Sequence, residues 1–350
     1  YARLHLGWSD LRSVTNDARQ LIESSRSELY DISADPAEKR DVAPSDRRTA
    51  TSLREKLAQF PAGESVQSAI TAEEKAKLTA LGYVASPAAS SQQSVNPADR
   101  IGDVEELQDA SRLATTDMPA AKTKFRALLA KEPRMVEAWV QFGDALLRAG
   151  EVDGAIDSYR NAIARSSGPL PDVLLSLASA YLQKGDTAHA TEAARAAMPL
   201  DPRAAHSTLA LIALAKGDTT TAESETAAIE RPHAGDLVLR AEIAGRENRF
   251  NDALALLDQA EQKEGAVYRL HFVRGDVFAR MNRNREAIEE FRTEIAKFPN
   301  DLEAYQRLAF VLVVTGDAAG GERILDQMIA ANTTPVARRL AAETRKALRQ

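Results

Sequence analysis

Between Leu107 and Gly321 the apolar residues fall into blocks that recur with the rhythm of paired helices. Two stretches are clearest: V-E-A-W-V-Q-F-G-D-A-L-L-R-A-G-E-V-D-G-A-I-D-S-Y-R-N-A-I from Val136, and L-E-A-Y-Q-R-L-A-F-V-L-V-V-T-G-D from Leu302. A small residue opens the second helix of each block, at Ala121, Ala155, Ala190, Ala222, Ala253, Ala287 and Gly321, with successive spacings of 34, 35, 32, 31, 34 and 34 residues. Such a period predicts an α-helical solenoid of about seven helix-turn-helix copies, each burying its apolar face by stacking on its neighbours.

The punctuation between blocks agrees with that reading. Gly150-Glu151, Gly185-Asp186, Gly217-Asp218 and Gly316-Asp317 each follow a first helix. Glycine takes the left-handed turn at a helix end, and the acid then sits where the next helix dipole favours it. Asn248 and Asn282 hold the same place in copies five and six, and asparagine tolerates that conformation next best. Pro133, Pro202 and Pro299 are expected to end second helices, and Pro335–Gln350 reads as one amphipathic helix capping the stack.

Residues 1–85 follow another pattern. Alternation around Leu11, Val14, Ala18, Leu21 and Ile22, broken by Asn16-Asp17, predicts two short strands and a turn, and Glu28–Ile32 a third strand. Asp35-Pro36-Ala37-Glu38 predicts a short helical turn in which Asp35 caps and Glu38 reaches back. A helix from Ser45 places Ala50, Leu53, Leu57 and Phe60 on one face, and another opens at Thr71-Ala72-Glu73-Glu74 and stops at Gly82. The small polar tract Ser86–Pro97 reads as a tether, because it can bury too little to offset its ordering entropy. The expected organisation is therefore a small α+β module over 1–85, a linker over 86–101, the repeats over 102–334 and a capping helix over 335–350.

Composition narrows the function. The 350 residues are 44% hydrophobic but only 5% aromatic, which suits helices packed closely through small side chains. A net charge of -6 gives no footprint for nucleic acid. With no cysteine there is no disulfide frame, thiolate metal site or cysteine nucleophile. No apolar run approaches the length of about 18 that a membrane span needs. Tyr1–Asp10 does not read as a signal peptide, and the start without Met reads as the back portion of a longer polypeptide. His5, His189, His206, His233 and His271 lack a metal-ligand spacing, and Asp10, Asp31 and Asp35 read as turn and cap residues. No phosphate loop, zinc helix, calcium loop or nucleophile elbow is present, so this chain is expected not to be catalytic.

Trp139, Gly143, Ala155, Tyr159 and Ala162, with Phe125 and Pro133 closing the preceding copy, resemble the signature of the tetratricopeptide repeat family over about residues 102–350. The resemblance implies a concave groove lined by first helices and occupied by a protein or peptide. Mapped onto this chain, its apolar lining is Val140, Leu147, Leu175, Leu182, Leu211, Leu214, Val238, Phe272, Phe310 and Val313. The family's basic clamp for a C-terminal carboxylate is not matched, since Val140, Leu175 and Ser207 stand where a lysine would.

A second resemblance is carried by His5–Val14, by Glu28–Ile32 with Asp35–Glu38, and by Leu78–Tyr83: this stretch is similar to the C-terminal end of sulfatase-like hydrolases of the alkaline phosphatase superfamily. It implies a parent polypeptide that hydrolyses sulfate or phosphate esters with a divalent metal, placed outside the cytoplasm, with His5 and Trp8 supporting the substrate pocket. The chain departs from that family in having no Cys/Ser-x-Pro-x-Arg maturation sequence and none of the metal-binding carboxylates. The expected function is accordingly a peptide-binding repeat scaffold in the service of such a polypeptide, the alternative being a fragment of the active hydrolase itself.

Overall fold

The structure, a computed structural model, describes residues 11–60, 96, 99–166 and 168–349. It divides into two compact units, residues 1–147 with 153–174 and residues 148–152 with 175–350. His5, Trp8, Asp10, the helix expected at Thr71–Gly82 and most of the tether lie outside the described residues.

The first unit opens with an antiparallel meander of β1 (Arg12–Thr15), β2 (Arg19–Glu23) and β3 (Ser27–Asp31). Asn16 makes the first turn by accepting hydrogen bonds from the N–H groups of Ala18 and Arg19, at 3.1 and 2.7 Å. The register sets Val14 against Leu21 and Leu21 against Leu29, which puts the alternate apolar residues on one face. Helix α1 (Arg47–Ala58) covers that face with Ala50 and Leu53, and its start is fixed by Asp46, whose side chain accepts from the Thr49 N–H. Asp31 is held down at about 2, first by the Ser33 hydroxyl, then by the Ala34 N–H and the Arg19 guanidinium.

Two local expectations need correction. Asp35–Glu38 forms a turn, not a helical start: Glu38 has φ 52°, and the Asp35 carboxylate accepts from the Arg40 N–H at 2.8 Å. Phe60 lies beyond the end of α1 and is 66% exposed, so it does not extend the apolar face. The described end of the tether is engaged: Asn96 is 4% exposed, and Asp99 pairs with Arg26 at 3.0 Å.

Helical pairs follow: α2 (Ile101–Leu113) with α3 (Met118–Lys131), and α4 (Val136–Arg148) with α5 (Val152–Arg165). Phe125 stacks on Phe142 with centroids 5.0 Å apart, and the Tyr159 hydroxyl donates to Asp144 at 2.6 Å. Gly143 makes room for the Tyr159 ring, since a Cβ there would stand 2.7 Å from its Cε1. Helix α6 (Pro171–Lys184) begins in this unit and ends in the second.

The second unit continues with α7 (Thr187–Ala197), α8 (Pro202–Ala215), α9 (Thr219–Ala227), α10 (Ala234–Arg246), α11 (Phe250–Lys263), α12 (Leu270–Arg280), α13 (Asn284–Lys297), α14 (Leu302–Val314) and α15 (Ala318–Ala331). It closes with α16 (Pro335–Leu348), which packs on α14 and α15 through Ala337, Ala341 and Thr344. The turn residues behave as their chemistry requires. Gly185, Gly217 and Gly316 have φ of 84°, 76° and 94°, and Asn248 and Asn282 have 61° and 59°. Asp186, Asp218 and Asp317 then cap the next helices by accepting from the N–H groups of His189, Thr221 and Gly320. Pro202 is the first residue of α8, preceded by the cap Asp201, rather than the end of a second helix.

Consecutive helices pack on one another throughout this unit, and first helices also touch first helices: α8 with α10, α10 with α12, and α12 with α14. That extra contact sets the first helices along the inner side of the unit.

Candidate partner-binding surface

Position along each first helix decides which side chains reach the inner face. Glu242, Asp276 and Phe310 are spaced by 34 residues and occupy the same place on α10, α12 and α14. Arg246, Arg280 and Val314 occupy the place four residues later, one turn on and on the same face. Four of them, Glu242, Arg246, Asp276 and Arg280, line a cleft of about 210 Å³ together with Phe272, Glu303 and Arg307 among others.

Its electrostatics are ordered by ion pairs. Arg246 meets Glu242 at 2.7 Å and also donates to the Leu214 carbonyl at 3.0 Å. Arg280 meets Asp276 at 2.7 Å, Arg307 approaches the same carboxylate at 3.8 Å, and Arg269 pairs with Glu303 at 2.9 Å. Beneath this layer Glu294, fully buried on α13, accepts hydrogen bonds from the N–H groups of Arg269, His271 and Phe272 at 2.8, 3.1 and 3.2 Å. It is a cap for α12 supplied by the partner helix. Burial pushes the Glu294 carboxyl above its ordinary range, against the pull of those N–H donors. Asp301, which caps α14, is also pushed up by burial.

The expected apolar lining divides under this geometry. Phe310 and Leu211 are 39% and 45% exposed, and Val140, Leu147, Leu175, Leu182 and Val313 are partly buried on their first helices. Leu214, Val238 and Phe272 are only 3%, 5% and 3% exposed: Leu214 and Val238 are taken up by packing, and Phe272 forms part of the cleft wall with little surface free. The reason is the contact between successive first helices. Leu214 packs with Ala210, Ala222, Leu239 and Ile243. Val238 joins the core of the last repeats, and Phe272 is covered by Phe291 on one side and by the Arg269 guanidinium at 4.1 Å. The inner face of copies five and six is therefore charged, not an apolar stripe. Its residues lack an apolar signature, but the 34-residue spacing applied to Glu242, Arg246, Asp276 and Arg280 identifies them.

The histidines take packing roles. His206 and His271 stand at equivalent places on α8 and α12, and the Nδ1 of each lies 2.7 Å from a glutamate of the following second helix, Glu225 and Glu290. His189 contacts its cap Asp186 and stacks on Tyr181. Among the described residues no group of His, Asp and Glu is placed to hold a metal ion, and no helix is long and apolar enough to cross a membrane.

The family profile described as Tetratricopeptide repeat matches residues 111–171, 140–205 and 238–301. These helical pairs are tetratricopeptide repeats. A crystal structure of a tetratricopeptide repeat protein from Parabacteroides merdae superposes with a TM-score of 0.53 at 15% identity, covering 71% of this chain and 99% of that one, which shows the shared solenoid fold. Anaphase-promoting complex subunit 7 of mouse is similar at 28% identity over 182 residues, 49% of this chain and 32% of the relative. The human subunit 7 matches to the same extent. The chain thus spans about a third of the length of these curated relatives. The cleft lies on α10 and α12, which fall almost wholly in the last matched segment, and on α14, which follows it.

Proposed function

We propose that this chain is a tetratricopeptide scaffold that holds a protein segment on the inner face of α10, α12 and α14. The observation that carries the reading is the row of first-helix side chains at one register. Glu242, Arg246, Asp276 and Arg280 line one cleft, and Phe310 and Val314 hold the same register on the next first helix. Val314 is 77% exposed and Phe310 39%, on a helix that buries Ala304, Tyr305, Leu308, Ala309 and Leu312. Exposed apolar side chains grouped beside organised charges mark interaction surfaces more often than idle ones. The resemblance to a subunit of a multiprotein complex is in keeping with that role.

The test compares capture of partners by the wild-type chain, by Phe310→Ser with Val314→Ser, and by Arg292→Ser. Arg292 lies on the second helix α13 with its side chain 55% exposed. Binding should fall about tenfold or more for the inner pair, two apolar contacts of roughly 1 kcal/mol each, and stay unchanged for Arg292→Ser. Equal loss in both would place the partner elsewhere.

A second reading rests on the β1–β3 meander, whose last strand overlaps the sulfatase-like stretch Glu28–Ile32. In it the chain forms part of an extracytoplasmic ester hydrolase, with His5 and Trp8 near the substrate. The divalent metal such an enzyme needs finds no ligand group among the described residues. Sequencing upstream of Tyr1 decides the matter: a Cys/Ser-x-Pro-x-Arg stretch must occur there.

A further inference from the structure

Arg240 on α10 and Arg274 on α12 stand 34 residues apart at one register, yet their surroundings differ. Arg274 is met by two carboxylates of the preceding second helix, Asp258 at 3.1 Å and Glu261 at 2.8 Å. Helix α11, which supplies them, has 14 residues, whereas α9, its counterpart beside Arg240, has 9. The same shortening shows in the 31-residue step from Ala222 to Ala253, against 34 from Ala253 to Ala287. Ala227 therefore stands where Asp258 stands in the next repeat, and at Glu230, the counterpart of Glu261, the chain has left the helix with the side chain exposed. Without those carboxylates Arg240 donates from Nη2 to two carbonyls, Thr226 at 2.6 Å and Ile229 at 3.0 Å. Its buried Nε has no hydrogen-bond partner among the described residues. A guanidinium donor buried and unmet costs free energy that a carboxylate would recover.

Beside the short α9, between α9, α10 and α11, lies a cavity of about 230 Å³. Ala227, Ile243, Ala244 and Leu256 give it apolar walls, and Glu223, Arg240 and Arg249 carry its charges. Arg249 is already taken up, by Glu223 at 2.7 Å and Glu247 at 2.6 Å. Among the described residues Arg240 has carbonyls and no carboxylate. We infer that this notch binds a small free carboxylic acid, with its carboxylate on the Arg240 guanidinium in the place Asp258 takes in the next repeat and its short branched stem against Ile243, Ala244 and Leu256. Size sets the class of ligand, since an apolar cavity of about 150 Å³ already holds a molecule as large as benzene. The site is formed with the second helices α9 and α11 and is separate from the cleft on α10, α12 and α14.

Isothermal titration with 3-methylbutanoate tests this, with acetate, 3-methylbutylamine and N-acetylleucine as comparisons. The branched acid should bind with a Kd on the order of 1 mM, as its few atoms allow. Acetate lacks the stem and should bind at least about fivefold more weakly; the amine should not bind. N-acetylleucine, which continues as the end of a protein chain would, should bind no more tightly than the free acid. Ala227→Asp restores the missing carboxylate from an exposed position, so it should weaken the acid about tenfold or more without lowering the melting temperature, while Ala227→Asn should keep binding within about twofold. No saturable heat with the acid, an amine that binds as tightly, tighter binding of N-acetylleucine, or Ala227→Asp binding as the wild type does overturns the inference. Capture of a protein through Phe310 and Val314 is measured separately, so the two readings can fail independently.

Discussion

Gly143→Ala tests whether close packing inside a repeat is as tight as the structure requires. The substitution favours the helical state by about 1 kcal/mol, because alanine loses less backbone freedom than glycine. Against that, the new Cβ would lie 2.7 Å from Cε1 and 2.9 Å from Cδ1 of Tyr159, inside any normal carbon contact. The ring cannot slide away freely. Tyr159 is fully buried, and its hydroxyl is tied to Asp144 at 2.6 Å. Overpacking a filled site costs about 1–3 kcal/mol, and stretching the hydroxyl bond adds about 0.5–1.5 kcal/mol. The sum predicts net destabilisation of about 0.5–3.5 kcal/mol, opposite in sign to helix propensity. Gly235 on α10 is the control, since a Cβ there meets nothing within 4 Å, so Gly235→Ala should stabilise by up to about 1 kcal/mol. Urea titration followed by Trp139 fluorescence, with Trp8 changed to Phe, reads the affected repeat directly. Trp139 sits on α4 with its Nε1 donating to the Pro133 carbonyl at 3.0 Å and Arg165 over its ring. In a Tyr159→Phe background the ring can tilt, and the Gly143→Ala penalty should shrink by about 1 kcal/mol. If Gly143→Ala proves as stable as wild type, or if the penalty is the same in both backgrounds, the packing argument is wrong.

The remaining expectations concern caps, turns and pH. Asp301 is 3% exposed, its Oδ2 has no hydrogen-bond partner, and burial raises its carboxyl above the ordinary value. A group raised in the folded state stabilises fully below its unfolded value, and that contribution is lost as pH rises through the folded value. Asp301→Asn should therefore be more stable than wild type at pH 7, by on the order of 1 kcal/mol, with the gap in melting temperature closing as the pH falls through the raised value toward the ordinary carboxylate range; a gap that widens would refute this. Asp218 is held below its ordinary value by the Thr221 hydroxyl and N–H, so its cap is present above the ordinary value and lost as pH falls through the lowered one. Asp218→Ala should lower hydrogen-exchange protection at the start of α9 about fivefold at neutral pH. Gly316 has φ 94°, so Gly316→Ala should destabilise by about 1 kcal/mol and Gly316→Asn by less, as Asn248 and Asn282 already serve this turn elsewhere; equal melting of all three forms would count against it.

Fold and site were unequally legible in the sequence. Repeat period, left-handed turns at Gly185, Gly217, Asn248, Asn282 and Gly316, and the strands around Leu21 and Leu29 all follow from local rules, and local rules decide them. The lining of the inner face does not. Whether Leu214 or Phe272 faces a groove or a neighbour depends on how closely first helices approach one another. That approach is set by small residues such as Gly245, where a Cβ would stand 3.0 Å from Val277 Cγ2. The cap that Glu294 supplies to α12 is invisible in the same way, because its carboxylate comes from the other helix of the pair, more than twenty residues away in sequence. Phe60 marks the smaller limit: periodicity places it on the helix face, but α1 ends at Ala58 before the phenylalanine is reached.

The central claim is that partners sit on the inner first helices, and site-specific photo-crosslinking addresses it most directly. A benzophenone side chain placed at Phe310 should form adducts with a bound protein in extracts of the source cells, and the same group placed at Arg292 on the outer helix α13 should not. Adducts at 292 in place of 310, or none at 310 while the chain remains folded and retains its partner, would contradict the account.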